Sequence, residues 1–363
     1  KGLVDAIGQK KSSISIARGE ETSKKELPIE NHESAVNAAL AEINSSKQKD
    51  GPIQAVGHRV VHGGEKYKKP VKITEQTVQD ICALSELAPL HNPVNLAGIN
   101  ACRKFLPNVP NIAVFDTAFH QTLPPKAYLY GLPYELYEKH GIRKYGFHGI
   151  SHQYVSKEAM RLLRENIRDF KILSCHLGAG ASICAIQDGK SVEISMGFTP
   201  LEGLMMGTRA GSFDPEIVLF LLKKGYTLAE VEDMMQKKGG LKGISRQTAD
   251  VRDLREEELA GDERSELAFE MFVYRIQRFI GSYSAVLGGL EVLIFTGGVG
   301  ERAYYIRRRI CEKFAYIDLK LDNKKNRANE TVISAADSEV TVMVVPTNEE
   351  LEIARESFGV LED

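Results

Sequence analysis

Long hydrophobic runs are scarce in this 363-residue chain. The longest apolar stretch, Ala285–Gly300, is broken by Glu291 and several glycines, which excludes it as a membrane span. Cysteine is equally sparse. Its five residues, Cys82, Cys102, Cys175, Cys184 and Cys311, are odd in number and show no C-x-x-C spacing. That usage excludes a disulfide framework and predicts buried thiols in a reducing, cytoplasmic setting. Net charge is close to nil, at −2, which excludes a general nucleic-acid or acidic-membrane surface. The chain shows no signal-peptide pattern, and it opens at Lys1 rather than a methionine, so position 1 is read as not the natural start.

Familiar catalytic signatures are missing too. There is no H-E-x-x-H, and the pairs His58/His62 and His148/His152 sit among glycines rather than in a helical pattern. A helical histidine metal face is therefore not predicted. The absence of G-x-S-x-G removes the hydrolase nucleophile elbow. Gly189-Lys190-Ser191 imitates the end of a P-loop, but Cys184 stands where its first glycine belongs. Protein-kinase motifs are absent as well.

What is present reads as α/β, with strands and helices in alternation, and the length predicts two domains. Residues 1–30 read as strand fragments and a polar loop. A helix is predicted over Asn31–Asn44, a connector over Lys47–Gly51, and a strand over Ile53–Val61 running into the turn His62-Gly63-Gly64. A helix over Thr77–Leu87 stops at Ala88–Pro93, and Asn111–Phe115 is a short strand ending at Asp116. Asp214-Pro215-Glu216 opens a helix through Leu222. Phe272, Ile276, Phe279, Tyr283 and Val286 mark one face of a long buried helix. Strands follow over Val292–Thr296 and Val340–Val345, and Thr347–Glu350 opens a C-terminal helix.

Two glycine clusters stand out. Ile172–Ile186 carries His176-Leu-Gly178-Ala-Gly180-Ala-Ser182 between two strand-like runs, and Phe295-Thr-Gly297-Gly-Val-Gly300 follows a second apolar run. Either cluster alone reads equally as an ordinary turn. Together they suggest a nucleotide held between them, because backbone N–H groups without a nearby Cβ approach a polyanion closely. His176 and Ser182 would add side-chain hydrogen bonds. Arg59 and Arg209, each at a strand or glycine-turn end, suit forks on carboxylate or phosphate, or else surface ion pairs. Asp116 could orient a reacting group or simply form a turn. His148 could donate to charge developing on a phosphoryl group, or be a satisfied core histidine. Glu349, just past a strand, is placed like a Mg²⁺-facing carboxylate or a first-turn helix acid.

Gly57-His-Arg-Val-Val-His-Gly-Gly64, Leu87-Ala-Pro-Leu-His-Asn-Pro93, Val114-Phe-Asp-Thr-Ala-Phe-His120, Lys144-Tyr-Gly-Phe-His-Gly149, Met196–Gly203 and Met206-Gly-Thr-Arg209, in that order, resemble the acetate kinases, which are short-chain acyl-phosphate kinases. The resemblance runs from about residue 50 through Pro346-Thr-Asn-Glu-Glu350. It implies two duplicated actin/sugar-kinase/Hsp70-like domains with an interdomain nucleotide cleft, usually as a homodimer. Residues 1–117 would form the N-terminal domain with the C-terminal helix 351–363 packed back on it, and 118–350 the nucleotide-binding domain. The implied reaction is acetate + ATP ⇌ acetyl phosphate + ADP by direct in-line transfer with Mg²⁺ (or Mn²⁺). By the same resemblance, Arg59 and Arg209 hold the carboxylate and the transferring phosphoryl group. His148 steadies the transition state, Asp116 orients the reactants, and Glu349 holds the metal. Val61, Leu90, Phe147 and Pro200 surround the acyl methyl with His91 nearby. His176, Gly178, Gly180, Ser182, Asp250, Val251, Arg252, Gly298, Val299 and Gly300 bind the nucleotide. No aromatic pair for stacking the base is evident.

Three departures from the family pattern stand in the sequence. The family's opening strand and Asn-x-Gly-Ser-Ser-Ser-x-Lys turn are not in this chain, so Lys1–Gly8 reads as the second half of a hairpin. The natural gene product is accordingly expected to carry an upstream segment. Ala179 replaces the asparagine of Leu-Gly-Asn-Gly, and Arg302 that of Gly-Glu-Asn. Alternatives are a preference for propionate or butyrate, and a truncated relative that binds nucleotide without turnover.

Overall fold

The computed structural model describes residues 2–9, 11–18, 21–45 and 51–362. It is α/β, as the alternating pattern predicts. Internal contacts divide the chain into two units, Lys1–Ala118 with Ile353–Asp363, and Phe119–Glu352.

In the first unit, β1 (Gly2–Asp5), β2 (Ser13–Arg18) and β3 (Glu21–Glu26) form an antiparallel sheet in that order. The helix predicted over Asn31–Asn44 forms as His32–Ser45. The connector 47–51 lies, apart from Gly51, outside the described residues. A second sheet contains β4 (Val56–Val60), β5 (Val71–Lys72) and β6 (Asn111–Phe115) in the order β4-β6-β5. β4 is shorter than the predicted Ile53–Val61. Its ladder begins where the Val56 N–H meets the Pro110 carbonyl, 2.9 Å away, just ahead of the first strand residue Asn111. Pro110 has no N–H to extend the ladder backwards. The helix predicted from Thr77 starts at Glu75. There the Thr74 hydroxyl accepts the Thr77 N–H and Thr77 reciprocates, a capping box. Val60, Ile81, Ile99, Ala113 and Phe115 form the core, with Tyr67 stacked on Phe115 at 4.4 Å. The helix Glu349–Glu362 closes on β4, where a Cβ on Gly57 would lie 2.6 Å from Ser357 and 2.7 Å from Ile353.

The second unit is built on β7 (Lys171–Leu177), β8 (Ala181–Gln187), β9 (Lys190–Ile194), β10 (Val292–Thr296) and β11 (Thr341–Val344), in the order β11-β10-β7-β8-β9. β7, β8 and β9 run antiparallel, whereas β10 and β11 run parallel to β7. Ile172, Cys184, Ile186, Val292 and Ile294 pack beneath Tyr154, Val155, Ala159 and Met160 of the helix Gly149–Leu163. The intervening Leu173, Cys175, Ile183, Ala185, Leu293 and Phe295 are also fully buried. A strand covered on both faces reads as one continuous apolar run, and these do. The long helix Glu263–Leu287 buries Phe272, Ile276, Ile280, Tyr283 and Leu287. That corrects the predicted face. Phe279 and Val286 each precede a stripe residue by one, about 100° around the helix, and Val286 is 53% exposed.

His62, fully buried just beyond β4, ties the first unit to itself. Its Nδ1 accepts the Gly64 N–H at 3.0 Å and its backbone N–H donates to Asn92 Oδ1 at 3.2 Å. Burial pulls its pKa down to about 4. An unfolded histidine binds a proton near pH 6.5, so unfolding takes up a proton between pH 6.5 and 4. Stability from this site is therefore intact above 6.5 and lost as the pH falls through that window, by about 3 kcal/mol. Denaturant unfolding at a series of pH values should show this acid loss, and His62→Asn should flatten it. An unchanged slope in the variant would remove His62 as its source.

Candidate active site

In the first unit the parallel register places Val60 opposite Phe115, so the ends of β4 and β6 lie side by side. Arg59 on β4 then reaches Asp116, one residue past β6, with Nη2 donating to Oδ2 at 2.7 Å. The Asp116 side chain is 1% exposed and that of Arg59 37%. A buried carboxylate thus holds a partly exposed guanidinium. Val61 follows directly, buried, its N–H donating to Asn95 Oδ1 at 3.0 Å. Leu90 is 71% exposed, beside half-buried His91 at the start of the helix Asn92–Phe105.

In the second unit His148 sits at the N-terminus of the helix Gly149–Leu163 with φ +57°, the left-handed region, directly after buried Phe147. A non-glycine residue held there is strained, and such positions collect at working sites. Its ring stacks on His176 at 4.3 Å between centroids, and its Nδ1 shares a 2.9 Å hydrogen bond with Ser182 Oγ. Gly180, at the turn between β7 and β8, lies so close that a Cβ there would sit 3.2 Å from His148 Nε2 and 3.8 Å from Arg209 Nη1. The turn therefore faces both an imidazole and a guanidinium, and a side chain at Gly180 would crowd the imidazole.

Arg209 Nη1 donates to the Pro200 carbonyl at 3.2 Å and meets Met206 Sδ at 3.3 Å. Among the described residues no carboxylate pairs with it. Burial lowers its pKa from the ordinary arginine value, although a guanidinium stays charged at neutral pH. Gly240 fixes the loop that carries it. With φ +63°, a Cβ at Gly240 would lie 2.1 Å from the Met206 carbonyl oxygen.

A cavity of about 450 Å³ opens beside the same turn. Of the residues expected at the nucleotide, Gly178, Asp250, Val251, Arg252, Gly298 and Val299 line it. Gly180 and Ser182 do not, since they lie toward His148. His176 is absent from the lining too, its Nδ1 2.8 Å from Ser151 Oγ. Gly300 is buried, and its carbonyl accepts from the buried Arg307 at 2.8 Å. Asp250 and Arg252 form a two-point pair, at 2.7 and 3.1 Å, that pulls the Asp250 carboxyl down to about 2. The sequence reading missed Phe272 and Tyr305, the aromatic members of the lining, because nothing in their spacing separates them from core residues. The departures Ala179 and Arg302 line the cavity as well.

Glu349 opens the C-terminal helix and is half-buried. Glu301 also went unread. Its Oε1 accepts the Gly297 and Thr347 N–H groups, both at 3.1 Å, which joins the glycine cluster after β10 to the segment after β11.

The chain matches the Acetokinase family over residues 1–355. It is 49% identical over 366 residues to a protein of Carboxydothermus hydrogenoformans named acetate kinase, covering 99% of this chain and 92% of that one. Among solved structures, the acetate kinase of Porphyromonas gingivalis superposes with a TM-score of 0.91 at 41% identity, covering 99% of this chain and 92% of that one. A propionate kinase of Francisella tularensis superposes at 0.92 and 40% identity, covering 98% and 91%. Ordered motifs, fold and full-length similarity agree: the chain belongs to the acetokinase family.

Proposed function

We propose that this chain transfers the terminal phosphoryl group of ATP to acetate, reversibly, giving acetyl phosphate and ADP. The observation that carries the reading is the β7–β8 turn. Gly178 and Ala179 face the 450 Å³ cavity, while Gly180 abuts His148 and Arg209. A nucleotide seated in that cavity with its phosphates along the turn would direct its terminal phosphate toward a cation and a hydrogen-bond donor. Phosphoryl transfer asks for little else, since its catalysis is positioning plus stabilisation of charge on the transferring oxygens.

The roles follow from what each side chain offers. Arg209, with no anionic partner among the described residues, takes the transferring phosphoryl group. Arg59, braced by Asp116, takes the acetate carboxylate, and Asp116 keeps it aligned. His148 donates from Nε2. Val61 and Leu90, with His91 next to Leu90, and Phe147 and Pro200 are the residues we assign to the acyl methyl. His176 and the turn amides serve the nucleotide phosphates, and the pair Asp250/Arg252 borders the adenosine. Mg²⁺ suits the donor set, because it favours one or two carboxylates plus phosphate oxygens and water over a protein cage. Glu349 is the carboxylate we assign to it, and no cluster of three ligating side chains stands among the described residues. The ion would neutralise phosphate charge.

Exposed Ile217, Leu219, Phe220 and Leu222 on the helix Glu216–Lys223 support a homodimer through that face. Free cysteines, four of them buried, support a cytoplasmic setting. No described helix is long and apolar enough to cross a membrane, and the near-zero charge supports neither a membrane nor a nucleic-acid partner. The division at Ala118 and Ile353 supports reading the units as the family's two domains.

Incubation with acetate, ATP, Mg²⁺ and hydroxylamine should yield acetohydroxamate, and a folded protein that gives none fails the reading. Arg209→Ala should lower kcat by about 10²- to 10³-fold with unfolding unchanged. Arg209→Lys should not restore it, because a point charge lacks the planar fork. Near-normal turnover in a folded Arg209→Ala protein would remove the role. The propionate kinase likeness keeps chain length as a second question. Val61→Ala should raise kcat/KM for propionate relative to acetate by about tenfold, the value of one methylene in an apolar pocket. A constant ratio would place Val61 outside the acyl pocket.

A further inference from the structure

We propose that Ser174, His152 and Ser182 form a one-way hydrogen-bond chain that holds the His148 proton on Nε2, the nitrogen beside Gly180, which makes His152 a positioning residue for phosphoryl transfer. This rests on the role given to His148 above. The links are continuous. Ser174 Oγ lies 2.9 Å from His152 Nδ1, His152 Nε2 lies 2.8 Å from Ser182 Oγ, and Ser182 Oγ lies 2.9 Å from His148 Nδ1. Ser174, His152 and Ser182 are all fully buried.

A hydroxyl has one proton and a neutral imidazole one N–H, and a buried hydroxyl proton left without an acceptor is costly, so only a chain running in one direction throughout can satisfy every link. Running from Ser174, its hydroxyl donates to His152 Nδ1, His152 Nε2–H donates to Ser182, and the Ser182 hydroxyl donates to His148 Nδ1. The His148 proton is then on Nε2, and every buried donor has an acceptor. In the reverse direction His148 Nδ1–H donates to Ser182, Ser182 to His152 Nε2, and His152 Nδ1–H to Ser174. The Ser174 proton is then stranded, because His152 is its only side-chain partner among the described residues. A buried hydroxyl left in that way bears its full desolvation cost. The forward direction wins.

Single-proton counting holds for His152 because it stays neutral. Burial drives its pKa well below the ordinary value, and the nearby His120 and His176 rings, at 5.9 and 6.3 Å, add to the effect. The consequence falls at Gly180. A Cβ there would lie 3.2 Å from His148 Nε2 and 3.8 Å from Arg209 Nη1, so the forward chain presents an N–H beside the guanidinium. The reverse chain would present a lone pair, which repels a phosphoryl oxygen.

The test is long-range ¹H–¹⁵N correlation on histidine-labelled protein, with His148 assigned by loss of its signals in His148→Gln. The wild type should show the Nε2–H tautomer alone. Ser174→Ala, which removes the anchoring donor, should admit the Nδ1–H form and lower kcat by about two- to tenfold, a fraction of the loss from deleting a donor outright. KM for ATP and acetate should hold, and Ser174→Thr should restore both spectrum and rate. A wild-type His148 carrying its proton on Nδ1 overturns the proposal, and that spectrum decides even if Ser174→Ala does not fold. An unchanged tautomer in Ser174→Ala also overturns it, while leaving acetohydroxamate formation and the proposed function standing. A shifted tautomer with full kcat instead overturns the role of His148 in transfer, and the positioning role with it.

Discussion

A guanidinium held by a carbonyl and a thioether, with no carboxylate among the described residues to neutralise it, is the constraint around which the second unit is arranged. Arg209 keeps its charge in a partly buried place where burial already works against that charge. Attraction to an incoming anion is stronger there than in water. The loop survives because Gly240 lets it fold tightly, and because Gly180 leaves the facing space empty. Arg59 is the contrasting case, since Asp116 balances its charge and fixes its direction. One arginine is unneutralised and the other is oriented. That difference suits the separate roles proposed for them, drawing in a phosphate and aligning a carboxylate.

Much of the fold could be read from the chain. β6 and β10 form over the residues their apolar runs predict, because each run is short, nearly all apolar and bounded by turn chemistry. The long helix was readable as a helix, although its buried stripe was misplaced at Phe279 and Val286. Both are apolar, and only packing distinguishes a stripe residue from the neighbour preceding it. Arg59, Asp116, His148 and Arg209 stood out in the sequence because each lies inside a family motif, and the roles proposed for them start from that resemblance. Tyr305 and Phe272 did not, since an aromatic residue on a helix looks the same whether it faces a core or a cavity. The histidine–serine chain was equally hidden. It joins Ser174 and Ser182 to His148 and His152 across 22 to 34 residues, through a strand register that no local pattern reveals.

The two substitutions that depart from the family pattern are not scattered. Ala179 and Arg302 both line the cavity proposed for the nucleotide, whereas the groups around Gly180 match the family's motifs. Variation thus falls on the wall that would hold the nucleotide rather than on the groups that would meet the phosphoryl.

Glu301 carries a consequence of a different kind. One carboxylate oxygen receives an amide from Gly297, the first residue of the short helix Gly297–Arg302 after β10, and another from Thr347 after β11. Two stretches of backbone that meet nowhere in sequence are thereby set in register by a single side chain. Glycine-rich backbone is costly to immobilise, and a loop that settled only around its ligand would incur that cost at every binding event. Here it is met once, when the chain folds, so that a nucleotide bound as proposed would meet amides already aligned.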